Sequence, residues 1–254
     1  MSLIPKSHPR AKSLFIREKL IHGFDQGLVA KEGLLAQGRG EAFDYLLGEK
    51  TGKTAKNAIR AAAAQLLLAE LPVISVNGNV AALCPKQIVR LSKQIKAKLE
   101  VNLFYANETR KKAVVSTLKK NGAKEILGVN PKNSTKLSGI DSSRRIVDKN
   151  GIFAADVVVV PLEDGDRTMA LRKAGKLVIT FDLNPLSRTS QTATITIVDN
   201  ITRAIDLLIT ETKKLSDKNR KVLQKIVDDF DNKQNLSENI IQIKNNLTRR
   251  AKIA

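Results

Sequence analysis

The sequence predicts an α/β protein built on a doubly wound, mostly parallel sheet, and three observations carry that prediction. Three apolar or β-branched runs, Val157–Val160, Leu177–Thr180 and Ile195–Val198, follow one another along the chain. The first two lack polar–apolar alternation, so they read as strands buried on both faces, as parallel strands are. Each run leads into a polar cluster: Glu163-Asp164-Gly165-Asp166, Asp182-Leu183-Asn184 and Asp199-Asn200. In such sheets ligands sit outside the carboxyl ends of the strands, so the polar residues collect where a nucleotide would bind.

Three segments follow in order: an N-terminal helical segment packed on the core (1–72), the nucleotide-binding core (73–214) and a helical or partly frayed extension (215–254). Ser13 is positioned to cap a first helix whose stripe is Leu14, Arg17, Ile21 and Phe24. Arg17 thereby falls on the face expected to be buried, where it must be paired, snorkel at the rim or hold an anionic ligand. Gly38-Arg39-Gly40 reads as a loop before a helix opening near Glu41, suited either to an arginine approaching phosphate or to an ordinary turn. Ala55–Glu70 is a helix closed by Pro72.

From Val73 strands and helices alternate. Val73–Val76 is a strand leading into Asn77-Gly78-Asn79, followed by a helix from about Pro85 to Lys98. Leu99–Leu103 is a strand, Thr109–Asn121 a helix ended by Gly122, and Glu125–Val129 a weaker strand. Residues 130–152 read as a long loop. Then come strand Val157–Leu162, helix Arg167–Lys173, strand Lys176–Phe181, loop Asn184–Thr194, strand Ile195–Val198 and a long helix from Thr202. Right-handed crossovers place helices on both faces. Beyond Ser216 only a thin apolar stripe remains, through Val222, Leu223, Ile226, Val227 and Phe230.

The formal net charge is +19, with Lys and Arg spread along the whole chain. Aromatic residues are scarce and Trp is absent, so bases would find no stacking platform. Small phosphorylated ligands therefore fit the positive field better than nucleic acid. No apolar run approaches the ~20 residues of a membrane span. Met1–Arg10 is polar and contains Pro5 and Pro9, unlike a signal peptide. The single cysteine, Cys84, excludes an internal disulfide, fits a reducing cytoplasm and reads as a small buried residue.

Gly48-Glu-Lys-Thr-Gly-Lys-Thr54 is not a phosphate-binding loop, since only three residues separate its glycines and the preceding Phe43–Leu47 is helical. Asn77 and Asn79 sit at a strand end opening a helix, and Asn102 in Val101-Asn-Leu-Phe104 faces the same crevice. Each asparagine can contact substrate or merely satisfy backbone. Arg144 and Arg145, in Ser142-Ser143-Arg144-Arg145, can hold a second phosphate or form a solvated loop. The Glu163–Arg167 turn can hold Mg²⁺, orient a ribose or cap a helix. His8 and His22 lack partners at zinc-ligand spacing.

Taken together, Ile4-Pro-Lys-Ser-His-Pro-Arg10, Arg17-Glu-Lys-Leu20, Gly38-Arg-Gly-Glu-Ala-Phe-Asp44, Val73-Ile-Ser-Val-Asn-Gly-Asn79, Val101-Asn-Leu-Phe-Tyr105, Pro161-Leu-Glu-Asp-Gly-Asp-Arg-Thr168 and Asp182–Asn200 resemble the archaeal phosphopantothenate synthetase (4-phosphopantoate–β-alanine ligase) family. The resemblance spans roughly residues 4–214, and residues beyond about 215 look like an addition to the family's usual length. It implies a Rossmann-like core, a homodimer, and ATP-dependent joining of 4-phosphopantoate to β-alanine with release of AMP and pyrophosphate, on the route to coenzyme A. It also implies ATP contacts at Arg17, Arg39, Asp182, Leu183, Asn184, Arg188, Thr189, Asp199 and Asn200. Adenylation of the acid calls for cations and Mg²⁺ around the phosphates. Asp164 and Asp166 are then candidates for the base that takes the β-alanine proton, as is the substrate's own phosphate. The competing classes are a basic nucleic-acid-binding protein and a nucleotide sensor without turnover.

Overall fold

The computed structural model describes residues 4–5, 7–162 and 164–253. Its centre is a five-stranded parallel sheet of β1 (Val73–Val76), β2 (Lys98–Val101), β5 (Val157–Val159), β6 (Leu177–Phe181) and β7 (Ile195–Ile197), in the order β2-β1-β5-β6-β7. Chain order reverses between β1 and β5, so the crevice at their carboxyl ends is where this topology accommodates a ligand.

Both faces of the sheet are covered, which is why its strands show no alternation. Ile74, Val76, Val157, Val159, Ile179, Phe181, Ile195 and Ile197 pack into one apolar layer. Val73, Val158, Val160 and Val178 pack into the opposite one. The first layer is closed by α1 (Ala11–Asp25), α3 (Lys53–Leu68), α4 (Gly78–Leu83), α5 (Pro85–Gln94), α6 (Glu108–Lys120) and α9 (Ile201–Leu215). Ala58 and Ala61–Ala64 of α3 are essentially inaccessible and let it lie close against α9. The second layer is closed by α7 (Gly165–Lys173) and the residues before β5.

Several expectations need correction. Gly38-Arg39-Gly40 is not a loop but lies inside α2 (Lys31–Leu47), which tolerates the ~1 kcal/mol helix penalty of each glycine and is anchored further along by the buried Glu41, Asp44 and Leu47. Arg10, not Ser13, occupies the position before α1, and Ser13 is buried within the helix, donating to the Arg10 carbonyl. The buried face of α1 runs through Ser13, Leu20 and Gly23, so Arg17 and Ile21 point outward. Glu125–Val129 forms only an isolated bridge, Leu127 beside Glu100. Residues 130–152 contain an antiparallel hairpin, β3 (Ser134–Lys136) and β4 (Ile146–Asp148). The 184–194 loop holds a short helix, α8 (Arg188–Thr192).

The C-terminal segment is ordered as α10 (Arg220–Asp228) and α11 (Asn232–Ala251), packed on α3 and α2. It also finishes the sheet. The outward edge of β7 would leave peptide groups unpaired, and side-chain amides take their place. Asn232 accepts the Thr196 N–H at 2.8 Å, and Asn235 donates to the Thr196 carbonyl at 2.9 Å. Among the described residues no helix is long and apolar enough to cross a membrane.

Candidate active site

A cleft of about 1110 Å³ opens at the carboxyl ends of β1, β5 and β6. Single-ligand sites typically measure ~300–1,000 Å³, so this one has room for more than one substrate. A smaller groove of about 280 Å³ between α3, α10 and α11 contains none of the candidate catalytic or binding residues.

One wall of the cleft is built by α2, the turn after β6 and the start of α8. Arg39 projects from α2, exposed, opposite Asp182, Leu183 and Asn184. Asp182 shapes this turn: it accepts the Asn184 N–H at 2.9 Å and the Ser187 hydroxyl. Burial raises its pKa, partly countered by the Ser187 and Asn184 hydrogen bonds. Arg188 and Thr189 follow at the first positions of α8, with Ser187 as the cap. A Cβ on Gly165 would lie 2.5 Å from the Arg188 Cβ, so only glycine lets α7 and α8 begin this close together. Asp166 and Arg188 pair across that junction at 3.1 Å, both largely exposed.

The other wall carries Asn77, Asn79 and Arg144. Asn77 caps α4 through the Val80 N–H at 3.0 Å and donates to the Pro161 carbonyl at 2.9 Å, tying β1 to the chain after β5. Asn79 donates to the Gly33 carbonyl at 2.9 Å. Both amides therefore do backbone work at the cleft surface. Arg144 is buried, pairs with Asp164 at 2.7 Å and lies over the Phe104 ring at 5.7 Å. Burial foremost, with Arg167 nearby, lowers its pKa to about 10, so it stays charged at neutral pH.

Five expected residues stand outside the cleft lining. Arg17 is half exposed and forms a two-pronged pair with Glu41, at 2.8 and 2.9 Å. The expectation that Arg17 is buried fails because the face that packs runs through Ala11, Ser13, Leu20 and Gly23, mostly small residues, rather than through Leu14, Arg17 and Ile21. Arg145 is exposed, one residue past the buried Arg144. Asn102 is buried and donates to the Arg144 and Ile146 carbonyls, at 3.3 and 2.9 Å. Asp199 takes the Thr51 hydroxyl at 2.6 Å and an Arg203 ion pair at 2.5 Å. Asn200 caps α9 and donates to Asp44, which also pairs with Arg203 at 2.6 Å. Glu163, part of the predicted turn, lies outside the described residues.

Two arginines that sequence reasoning passed over also line the cleft. Arg167 is fully buried and donates to the Ser75 hydroxyl at 3.0 Å. Arg110 of α6 donates to the Tyr105 and Leu28 carbonyls. Arg167 stood in a motif noticed for its acids, and nothing in the local pattern around Arg110 marked it. Among the described residues no cluster of three or more His, Cys, Asp or Glu could hold a metal, and Asp164 and Asp166 are engaged by arginines.

Comparison with known proteins gives consistent answers. The phosphopantothenate/pantothenate synthetase family model matches residues 54–246. A 4-phosphopantoate–β-alanine ligase of Thermococcus kodakarensis is 54% identical over 249 residues, covering 98% of this chain and 95% of that protein. The ligase of the same name from Thermococcus onnurineus is 53% identical, covering 99% and 96%. That of Methanosarcina mazei is 51% identical, covering 97% and 96%. These matches run through the C-terminal helices, so residues 215–254 are not an addition to the family's length. The chain belongs to the phosphopantothenate/pantothenate synthetase family.

Proposed function

We propose that this protein is an ATP-dependent ligase joining 4-phosphopantoate to β-alanine, releasing AMP and pyrophosphate through an acyl-adenylate. The observation that carries the proposal is the two-walled cleft in a chain similar over nearly its whole length to ligases of that name. Arg39, Asp182–Asn184 and Arg188–Thr189 form the ATP wall. Asn77, Asn79 and Arg144 form the wall for the phosphorylated acid.

The acid is ionised at neutral pH, so its carboxylate attacks the α-phosphorus without a base. Arg39 is exposed, and the Arg188–Asp166 pair is solvent-accessible and worth at most about 1 kcal/mol, so both arginines are free to turn to phosphate oxygens. There they spread the charge that builds on the pyrophosphate. Holding the acid and nucleotide in line supplies much of the rate, since well-oriented groups gain up to ~7–11 kcal/mol. Asp166, uncovered when Arg188 turns to ATP, is better placed than Asp164 to receive the proton of the β-alanine amine, because Asp164 stays on the buried Arg144. The described carboxylates offer no cage for Mg²⁺, so the ion fits this site only as a companion of the ATP phosphates.

The single cysteine supports a reducing, cytoplasmic setting, and a homodimer is part of the proposal, testable by sedimentation. The deciding experiment incubates protein, ATP, Mg²⁺, 4-phosphopantoate and β-alanine and assays AMP and pyrophosphate. AMP release that needs both organic substrates is the expected result. A nucleotide sensor would release none, and a nucleic-acid binder would show an affinity that falls steeply with salt.

A further inference from the structure

Glu100 is an unexpected residue in β2. It is completely buried, and the parallel register sets it beside Ser75 of β1. An apolar side chain there would avoid the cost of desolvating a carboxylate. Its oxygens accept the Asp148 N–H at 3.0 Å and the Ile152 N–H at 2.6 Å. A Cβ at Gly151 would fall 2.0 Å from one of those oxygens, so the turn after β4 is folded around the carboxylate. Asn102, two residues on, holds the other end of β4 through the Arg144 and Ile146 carbonyls. The β4 strand of the hairpin that delivers Arg144 to the cleft is thus pinned at both ends from the β2 chain.

Glu100 also acts on α7. The Arg167 guanidinium donates to Ser75, the cross-strand neighbour of Glu100, and is attracted by the charges of Glu100 and Asp164. Asp164 in turn holds Arg144. Charges of alternating sign therefore run from β2 to the cleft surface, in the order Glu100, Arg167, Asp164, Arg144.

We infer that Glu100 is a positioning residue for the phosphorylated acid: it sets Arg144 through the hairpin and Arg167 through charge, and so forms the anion-binding wall. This rests on the ligase function proposed above. It predicts a selective defect, because the hydrogen bonds of Glu100 go to the chain after β4, whereas the ATP wall hangs from α2, β6 and α8.

The test, run at about pH 8 where the carboxylate is ionised, is Glu100→Gln, which keeps shape and removes charge. The KM for 4-phosphopantoate is expected to rise about tenfold, while those for ATP and β-alanine stay unchanged. Calorimetric titration with 4-phosphopantoate alone should show the same loss. Arg167→Lys should act in the same direction, and the double variant should lose less than the sum of the two. Equal rises in all three KM values, an unchanged affinity for the acid or strictly additive losses would overturn the inference. Should Glu100→Gln not fold, Glu100→Asp retains the charge at shorter reach, and the same selectivity decides. Wild-type protein that neither binds nor consumes the acid overturns both the function and this inference. Active wild type with an unaffected variant overturns the inference alone.

Discussion

Two strand ends that look alike in sequence have opposite fates in the structure. After β6, Asp182-Leu183-Asn184 faces the open cleft. After β7, Asp199-Asn200 is sealed under Asp44, Thr51 and Arg203. Both are acid–amide turns at the carboxyl end of a parallel strand, where ligands are expected. What separates them is cover. The middle of α2 lines the cleft beside the turn after β6, while its last turn brings Asp44 onto Asn200 after β7. Of these two acid–amide turns, only the one that α2 and α9 leave uncovered lines the cleft.

The strongest way to break this contrast is to remove what builds the sealed end. α11 supplies Leu236 and Ile243 to the cluster containing Leu47, Leu183 and Val198, and its Gln242 and Asn246 hold the α2 carbonyls of Leu47 and Leu46. Truncation after Lys214 is expected to cost about 5 kcal/mol or more, a large share of a typical stability, and to leave little soluble protein. A truncated chain that stays folded and active would show the helices to be dispensable.

Next in size is Asp199→Ala, which leaves Arg203 and Thr51 short of a partner. A loss of about 3 kcal/mol in chemical denaturation is expected. An ATP KM that changes with unchanged stability would mean instead that the sealed end opens to the nucleotide, as the family resemblance implies.

Glu100, a fully buried acid on the same sheet, adds a pH dimension. Burial pushes its pKa up from 4.5 to about 7, with Arg167 and the two backbone N–H donors pulling it down and Asp148 pushing with burial. A raised carboxyl pKa favours folding while the group is protonated, and that stability is lost as pH rises through the folded value. From pH 4.5 to above 7 the wild type should therefore lose on the order of 2–3 kcal/mol relative to Glu100→Gln. A parallel pair of stability–pH curves would refute this.

At the open end, Arg39→Ala should weaken ATP binding by about 1.5–3 kcal/mol, roughly tenfold or more, with no change in melting temperature. An unchanged ATP affinity would move the nucleotide elsewhere. The smallest effect is expected from Arg17→Ala, whose half-exposed pair with Glu41 is worth at most about 1 kcal/mol of stability. Any rise in ATP KM in that variant then reports a nucleotide contact rather than a damaged fold.

The strands were legible because four or five apolar residues between turn formers admit few alternatives, and both faces of this sheet are covered. The cleft's place followed from the strand order and the polar clusters. Other features hid for physical reasons. The packing face of α1 depends on Gly23, where a Cβ would come 2.7 Å from Ala82, and small residues carry no hydrophobic signal. Asp199 and Asn200 look available until Asp44 and Arg203 are brought over them, and Asp44 lies more than 150 residues away in the chain. The β3–β4 hairpin escaped notice because its strands are three residues long, one of them half-buried and polar.

The amides of Asn232 and Asn235 on Thr196 have a consequence for assembly. A bare strand edge is a template on which a second copy can polymerise, and here the template is occupied by the chain's own side chains. Two molecules therefore cannot fuse their sheets through β7 into one continuous ribbon. Self-association through this margin must use helices or loops, and fibre growth there must wait until heat or denaturant has peeled α11 away.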